Sequence, residues 1–217
     1  MTEITLNLYV DVMCAHSYLA YPQLRAALRD VRAAGSTVTV NIRPLLIAPD
    51  APLDTSEPLR DVHRRLFGES SRSSEEDMTR RAAASDVPLH YERARFTSTI
   101  PAHAAIRQAQ EQDPRLGEEL LSGLFQAYFA DGAVISDLDW LSSFGSAHGL
   151  SGLQFTAEQF DRVREASQDA RRLGIHSAPT LQLPDGNLIV GGRQRHEYAA
   201  LIARGGVAGP EHSAPAP

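Results

Sequence analysis

The chain has very little cysteine. Of 217 residues only Cys14 carries a thiol, so no internal disulfide can form and a reducing cytoplasm is the expected home. Long apolar runs are missing too. None approaches the roughly 18 residues a membrane span needs, so no membrane partner is expected. The first residues, "MTEITLNLYV", lack a basic start, an unbroken apolar stretch and a small-residue cleavage site, and no signal peptide is expected. A basic excess is absent as well: 21 basic against 27 acidic residues give a net charge of −6, which argues against a nucleic-acid partner. Metal-ligand spacing is lacking. His63, His90, His148 and His196 fall in no pattern with one another, and no metal is expected. What remains is an ordinary globular composition, 42% hydrophobic and 22% charged, ample for a packed core.

Hydrophobic periodicity divides the chain into three parts. From Ile4 to Val12 apolar and polar residues alternate, which predicts a strand. A helical pattern follows from Cys14 to about Ala34, stopped by Gly35, and "TVTVNIRPLLI" then predicts a second strand. Pro44 near its end has no N–H to give a ladder, so that end lies at an edge or closes the strand. This βαβ opening, residues 1–56, implies parallel strands. Residues 57–150 read as an all-helical block. Leu120, Leu121, Leu124, Phe125, Tyr128 and Phe129 form its clearest amphipathic face, a core stripe and not a cofactor box. A Ser136 N-cap is expected to open its last helix. Residues 151–205 return to mixed periods. A helix with Phe160, Val163, Ala166, Ala170 and Leu173 on its stripe ends at Gly174. A β-hairpin through "PDG" follows, then a short helix. Residues 206–217 are Pro/Ala-rich and expected to be a flexible tail. With the helical block removed, βαβ and αββα remain. The fold class is α/β, a thioredoxin-like fold with an inserted all-helical domain.

Cys14 stands where the first strand pattern gives way to the first helix pattern. Unpaired N–H groups and the helix dipole favour negative charge there, and the thiolate is the reactive form of cysteine. His16 lies in the same turn, where its positive charge would help. Ser17 lies three residues on, where its hydroxyl can reach the sulfur. The alternative is a buried thiol that only fills space.

The segment "DVMCAHSYLA" resembles the active-site segment of the DsbA superfamily, whose Cys-x-x-Cys motif opens the first helix with His in the third place, as His16 is here. Pro22 matches the helix-kinking proline of thioredoxins. Asp11, Val12, Ser17 and Leu19 also match the Asp-Val-x-Ser-Pro-Tyr-Ser pattern of kappa-class glutathione transferases and 2-hydroxychromene-2-carboxylate isomerases, with Cys14 on the catalytic serine. "LGIHSAPTLQLPDGNLIVGG" is similar to the cis-proline segment of the superfamily. "STIPAHAAIRQA" and "LFQAYFADGAVISDLDWL" resemble its FrnE-like branch.

The resemblance implies a thiol-dependent oxidoreductase in which Cys14, His16 and Ser17 do the chemistry. Pro179 is implied as the cis-proline after Ala178, next to the sulfur. His176, Arg193 and His103 are further substrate-side candidates. No permanently bound cofactor is implied; glutathione is the expected transient one. The partner is a small molecule or a thiol or disulfide substrate, and a homodimer is left open. Two departures matter. Ser17 stands where the second cysteine would be, so the site is a monothiol Cys-Ala-His-Ser. Gly192-Arg193 replaces the Ser-Asp pair with which kappa transferases hold glutathione. Two other readings stay open: a glutathione- or cysteine-dependent isomerase or transferase acting on a small aromatic or polyketide-like molecule, and a non-catalytic binding module.

Overall fold

The structure is a computed structural model that describes residues 2–205. The tail expected beyond residue 205 lies outside the described residues. Strand β1 (Glu3–Val10) pairs in parallel with β2 (Thr37–Pro44), with Leu6 opposite Val40 and Leu8 opposite Ile42. On its other side β1 runs antiparallel to β5 (Thr180–Gln182), which forms a hairpin with β6 (Leu188–Val190). The sheet order is β2-β1-β5-β6, so β1 is central. Ile4, Leu6, Leu8 and Val10 of β1 are all buried. That is why the run nearest Cys14 is so apolar: a central strand lies where other elements pack over the sheet faces. Pro44 ends β2 at the sheet edge, where its missing N–H leaves no partner unsatisfied.

Helix α1 (Ala15–Ala33) contains Pro22 and buries Tyr18, Tyr21, Leu24, Leu28 and Val31. Gly35, at φ +96°, turns the chain out of it. Helix α8 (Arg195–Gly205) packs along α1.

Between β2 and helix α7 (Ala157–Arg172) lies the insertion. It contains α2 (Leu59–Phe67), α3 (Ser70–Ala83), α4 (Ile100–Gln112), α5 (Pro114–Gln126) and α6 (Leu138–Ala147). It also holds a short ribbon that periodicity did not foresee, β3 (Glu57–Pro58) against β4 (Arg95–Phe96). Two residues per strand are too few to leave an alternating pattern. Past Gln126 the helix widens into a π-helical turn, Ala127–Asp131, in which the consecutive rings Tyr128 and Phe129 are both buried. Gly132 ends it at φ +77°, where an added Cβ would meet the Arg93 carbonyl at 2.8 Å.

The insertion and the sheet share one core. Leu6, Leu8, Leu24 and Leu28 join Leu120, Leu121, Leu124, Phe125 and Phe129 in one continuous apolar cluster. Tyr18 of α1 stacks on Phe129 at 5.2 Å and on Phe125 at 5.6 Å. Buried side chains of this size each contribute roughly 1.5–3 kcal/mol, so the position of α1 is set by both halves. The Tyr21 hydroxyl donates to the Glu118 carbonyl at 2.8 Å, and Arg32 pairs with the buried Glu118 carboxylate.

Two local expectations are corrected. The N-cap of α6 is Asp137, whose carboxylate accepts from the amides of Asp139 and Trp140, each at 3.0 Å. Ser136 instead turns inward to Thr97. Leu173 is exposed past the end of α7 and belongs to no stripe.

Candidate functional site

Loop 11–14 links β1 to α1, and Asp11 holds it. This carboxylate is fully buried. Its Oδ2 accepts the Ile47 amide at 2.7 Å, and its Oδ1 lies 3.4 Å from both the Met13 amide and His103 Nε2. The Asp11 carbonyl accepts the Cys14 amide at 3.0 Å. Cys14 is the N-cap of α1, with extended backbone and no capping side-chain bond. Its sulfur is therefore free to face elsewhere.

It faces the loop before β5. Because β1 and β5 are neighbours, the loop after one and the loop before the other emerge side by side. The Ala178–Pro179 bond is cis, and the Cys14 thiol donates to the Ala178 carbonyl at 3.4 Å. The Pro179 carbonyl accepts the Gly191 amide at 2.8 Å, and the Thr180 hydroxyl donates to the Ser177 carbonyl at 2.6 Å, which fix this loop. Ser17 is buried one turn beyond Cys14. Its Oγ makes no hydrogen bond of good geometry, although it lies close enough to the sulfur to draw the thiol pKa down.

The expected acidic thiol is corrected by these surroundings. Cys14 is only 7% exposed. Burial pushes its pKa up, and the Asp11 charge adds to the rise. The Ser17 hydroxyl and the amides of Ser17 and His16 pull the other way without winning. The balance of these surroundings favours the thiol over the thiolate. The expected positive charge of His16 is corrected as well. Its ring is exposed, yet the atoms crowding it and then the Arg81 guanidinium both press it toward the neutral form.

The remaining candidates separate. His103 is 3% exposed, with its Nε2 at 3.4 Å from the Asp11 carboxylate. This corrects its substrate-side reading: its partner is 92 residues away in sequence. His176 is exposed. Arg193 lies with His16, Arg81, Gln23 and Gln194 around a cleft of about 360 Å³. Neither Arg81 nor Arg193 has an ion-pair partner among the described residues.

On the other side of His16 lies a group that sequence reading missed: His63, Glu75 and Tyr91 around a second cavity. His63 and Glu75 sit twelve residues apart on different helices, so no sequence spacing announces them. Among the described residues there is no group of His, Cys, Asp and Glu able to hold a metal ion, and no helix long and apolar enough to cross a membrane.

Comparison with known proteins agrees with this geometry. No protein of curated function matches the chain in sequence. A probable DsbA oxidoreductase from Streptomyces coelicolor superposes with a TM-score of 0.76 at 19% identity, covering 97% of this chain and 94% of its own. The cytosolic disulfide reductase DsbM from Pseudomonas aeruginosa gives 0.61 at 23% identity, with 93% and 95% covered. A 2-hydroxychromene-2-carboxylate isomerase gives 0.59 at 14% identity, with 92% and 95% covered. These likenesses establish the shared thioredoxin-like fold. The family model for the DSBA-like thioredoxin domain matches residues 5–203. The chain belongs to the DSBA-like thioredoxin domain family.

Proposed function

We propose that the protein is a monothiol thiol–disulfide enzyme that acts through a mixed disulfide on Cys14, with glutathione or a partner protein as the second thiol. The observation that carries this reading is the sulfur itself. It sits at the N-cap of α1 and touches the Ala178 carbonyl at 3.4 Å, between two loops fixed by their own backbone bonds. With oxidised glutathione the step balances simply. Cys14 loses its proton and attacks one glutathione sulfur. The glutathione S–S bond breaks, the Cys14–glutathione S–S bond forms, and the departing glutathione thiolate takes up a proton. Ser17 has no thiol to attack the adduct, so an outside thiol must release it. A thiol whose pKa is raised is also a poor leaving group, which further preserves the adduct.

His16 in this scheme is a neutral hydrogen-bonding group beside the reacting sulfurs. Arg193 and Arg81 offer two unpaired cations in the adjoining cleft, a match for the two carboxylates of glutathione. Ala178 and Pro179 present backbone to the arriving chain, and His176 lies at the outer edge. A cytoplasmic setting suits a single free thiol, and the Pseudomonas relative is described as cytosolic.

Intact-mass measurement after exposure to oxidised glutathione tests the reading. One added glutathionyl group on the folded protein, removed by dithiothreitol, is expected. A folded protein that takes up none, while Cys14 alkylates freely after unfolding, would make Cys14 a core thiol and overturn it.

A further inference from the structure

The two edges of the sheet are finished differently. β2 lies at one edge and β6 at the other. A free edge shows unpaired N–H and C=O groups on which another strand can build, and folded chains commonly block it. The β2 edge is blocked. The Ile42 amide donates to Gln110 Oε1 at 2.6 Å, and the Ile42 carbonyl accepts from Gln110 Nε2 at 3.1 Å. The Val38 carbonyl accepts from Arg32 Nε at 3.2 Å and Nη2 at 2.8 Å. Pro44 has no N–H to offer.

The β6 edge has no comparable block among the described residues. Ile189 stands opposite Leu181. Flanking that pair, Leu183 N–H donates to the Asn187 carbonyl at 2.9 Å and Gly191 N–H to the Pro179 carbonyl at 2.8 Å. Bonded and open positions alternate along an antiparallel strand. Ile189 therefore turns its backbone to β5, while Leu188 and Val190 turn theirs away from the sheet. Of these outward groups only the Val190 carbonyl has a partner among the described residues, Arg193 Nη1 at 3.2 Å, and a carbonyl has a second lone pair. The side chains follow the same alternation. Leu188 is 42% exposed and Val190 52%, on the face opposite the buried Ile189. The strand, Leu-Ile-Val, holds no charge or proline to repel a partner.

Such a strand fits a second copy of itself. Two copies of β6 can meet antiparallel about a two-fold axis at Ile189. Leu188 then lies opposite the partner's Val190, and every outward N–H and C=O meets an outward group of the other copy. A slip of one residue sets these groups against Ile189, whose own are taken. A slip of two leaves half of them unmatched. Charge favours the same direction. Asp185 flanks the strand on its turn side and Arg193 on the other, and neither has an ion-pair partner among the described residues. Antiparallel pairing turns each Asp185 end toward the partner's Arg193 end, whereas parallel pairing sets like charges side by side. Arg193 uses only Nη1 within the chain, on the Val190 and Gly192 carbonyls, so Nε and Nη2 remain for carboxylates of the partner and of the cleft.

We propose that β6 is a self-association edge, on which two copies of this chain pair antiparallel about Ile189 and join two four-stranded sheets into one. Cys14 takes no part in the contact. A three-residue edge is small, and interfaces below about 1,200 Å² are weak and transient. A dissociation constant of about 10–100 µM is expected.

Sedimentation equilibrium of the full-length protein from about 1 to 500 µM spans that range. Dithiothreitol keeps disulfides between copies out. The mass is expected to rise from one chain toward two. Leu188→Glu and Val190→Lys fall at exposed positions, and each acts twice across the axis. Each should weaken pairing about tenfold or more. The double variant L188E/V190K sets opposite charges across the axis in this register and should pair at least as tightly as the parent. In the parent the Leu188 and Val190 amides should exchange more slowly at the high concentration, with Ile189 protected at both. A single-chain mass throughout would overturn the second copy and leave the edge to an extended peptide of another protein. Undiminished pairing in both single variants, or a double variant as weak as they are, would overturn the register. No thiol step enters these measurements. A missing glutathione adduct therefore counts against the Cys14 reading alone, and a missing dimer against this edge alone.

Discussion

The thiol site and the cavity beside it meet at His16, yet they are built in opposite ways. Around Cys14 almost every polar atom is satisfied by backbone. Asp11 takes two amides, the thiol gives to a carbonyl, and the neighbouring loop is closed on itself. Only the Ser17 hydroxyl is left over. Around the cavity the walls are side chains, and two polar atoms, His63 Nε2 and Tyr91 Oη, point to no partner among the described residues. The first region spends its hydrogen bonds on holding one sulfur still. The second leaves two open to solvent, where water can meet them at little cost.

Breaking the backbone frame should have the largest effect. Asp11→Ala strands the Ile47 and Met13 amides and His103 in a dry interior. We expect a loss of about 3 kcal/mol in urea unfolding, the scale of removing one partner from a buried charged network. Cys14 should also alkylate faster as its loop loosens. A loss below about 1 kcal/mol would show that the loop does not rest on Asp11.

The buried thiol should give a pH signature of its own. Its pKa is raised in the folded protein, so the neutral thiol is favoured by folding. This stability is fully present below the unfolded thiol value of about 8.5 and is lost as pH rises toward the folded value. Cys14→Ser should flatten that alkaline decline. In the parent, the midpoint of iodoacetamide reaction should lie above the free-thiol value. A midpoint below it would restore the activated-thiolate expectation.

The cavity frame should prove weaker. Glu75→Ala frees Arg60 and His63, both partly solvated, so about 1 kcal/mol is expected. The smallest effect belongs to Ser17→Ala. It removes a hydroxyl with no hydrogen bond of good geometry, and stability should stay within about 0.5 kcal/mol of the parent. The alkylation midpoint should nevertheless move upward, since that hydroxyl draws the thiol pKa down.

How much of this was legible in the sequence follows from the same contrast. Strand β1, helix α1 and the β5–β6 hairpin are legible because each has its own period, and Pro179 is legible through the likeness of its segment to the superfamily's cis-proline segment. The acidity of Cys14 was misread because the helix-terminus argument counts dipoles and not water. At 7% exposure the cost of burying a charge outweighs them. The contact of His103 was not legible because its partner, Asp11, lies across the fold, 92 residues away in sequence. His63 and Glu75 were invisible. Each sits on a helix whose polar residues look like an ordinary wet face, and only the packing of α2 on α3 brings them to 2.7 Å.

The central claim is that Cys14 is a reactive thiol with no resolving partner. Time-resolved intact mass of the parent and of Ser17→Cys after a pulse of oxidised glutathione tests it most directly. The parent should gain one glutathionyl group and keep it until dithiothreitol is added. The variant should gain the same group, lose it unaided, and finish two hydrogens lighter than its reduced form, with an internal disulfide one helical turn long. A parent that never takes up glutathione while folded, or a variant that holds the adduct as long as the parent does, would contradict the account.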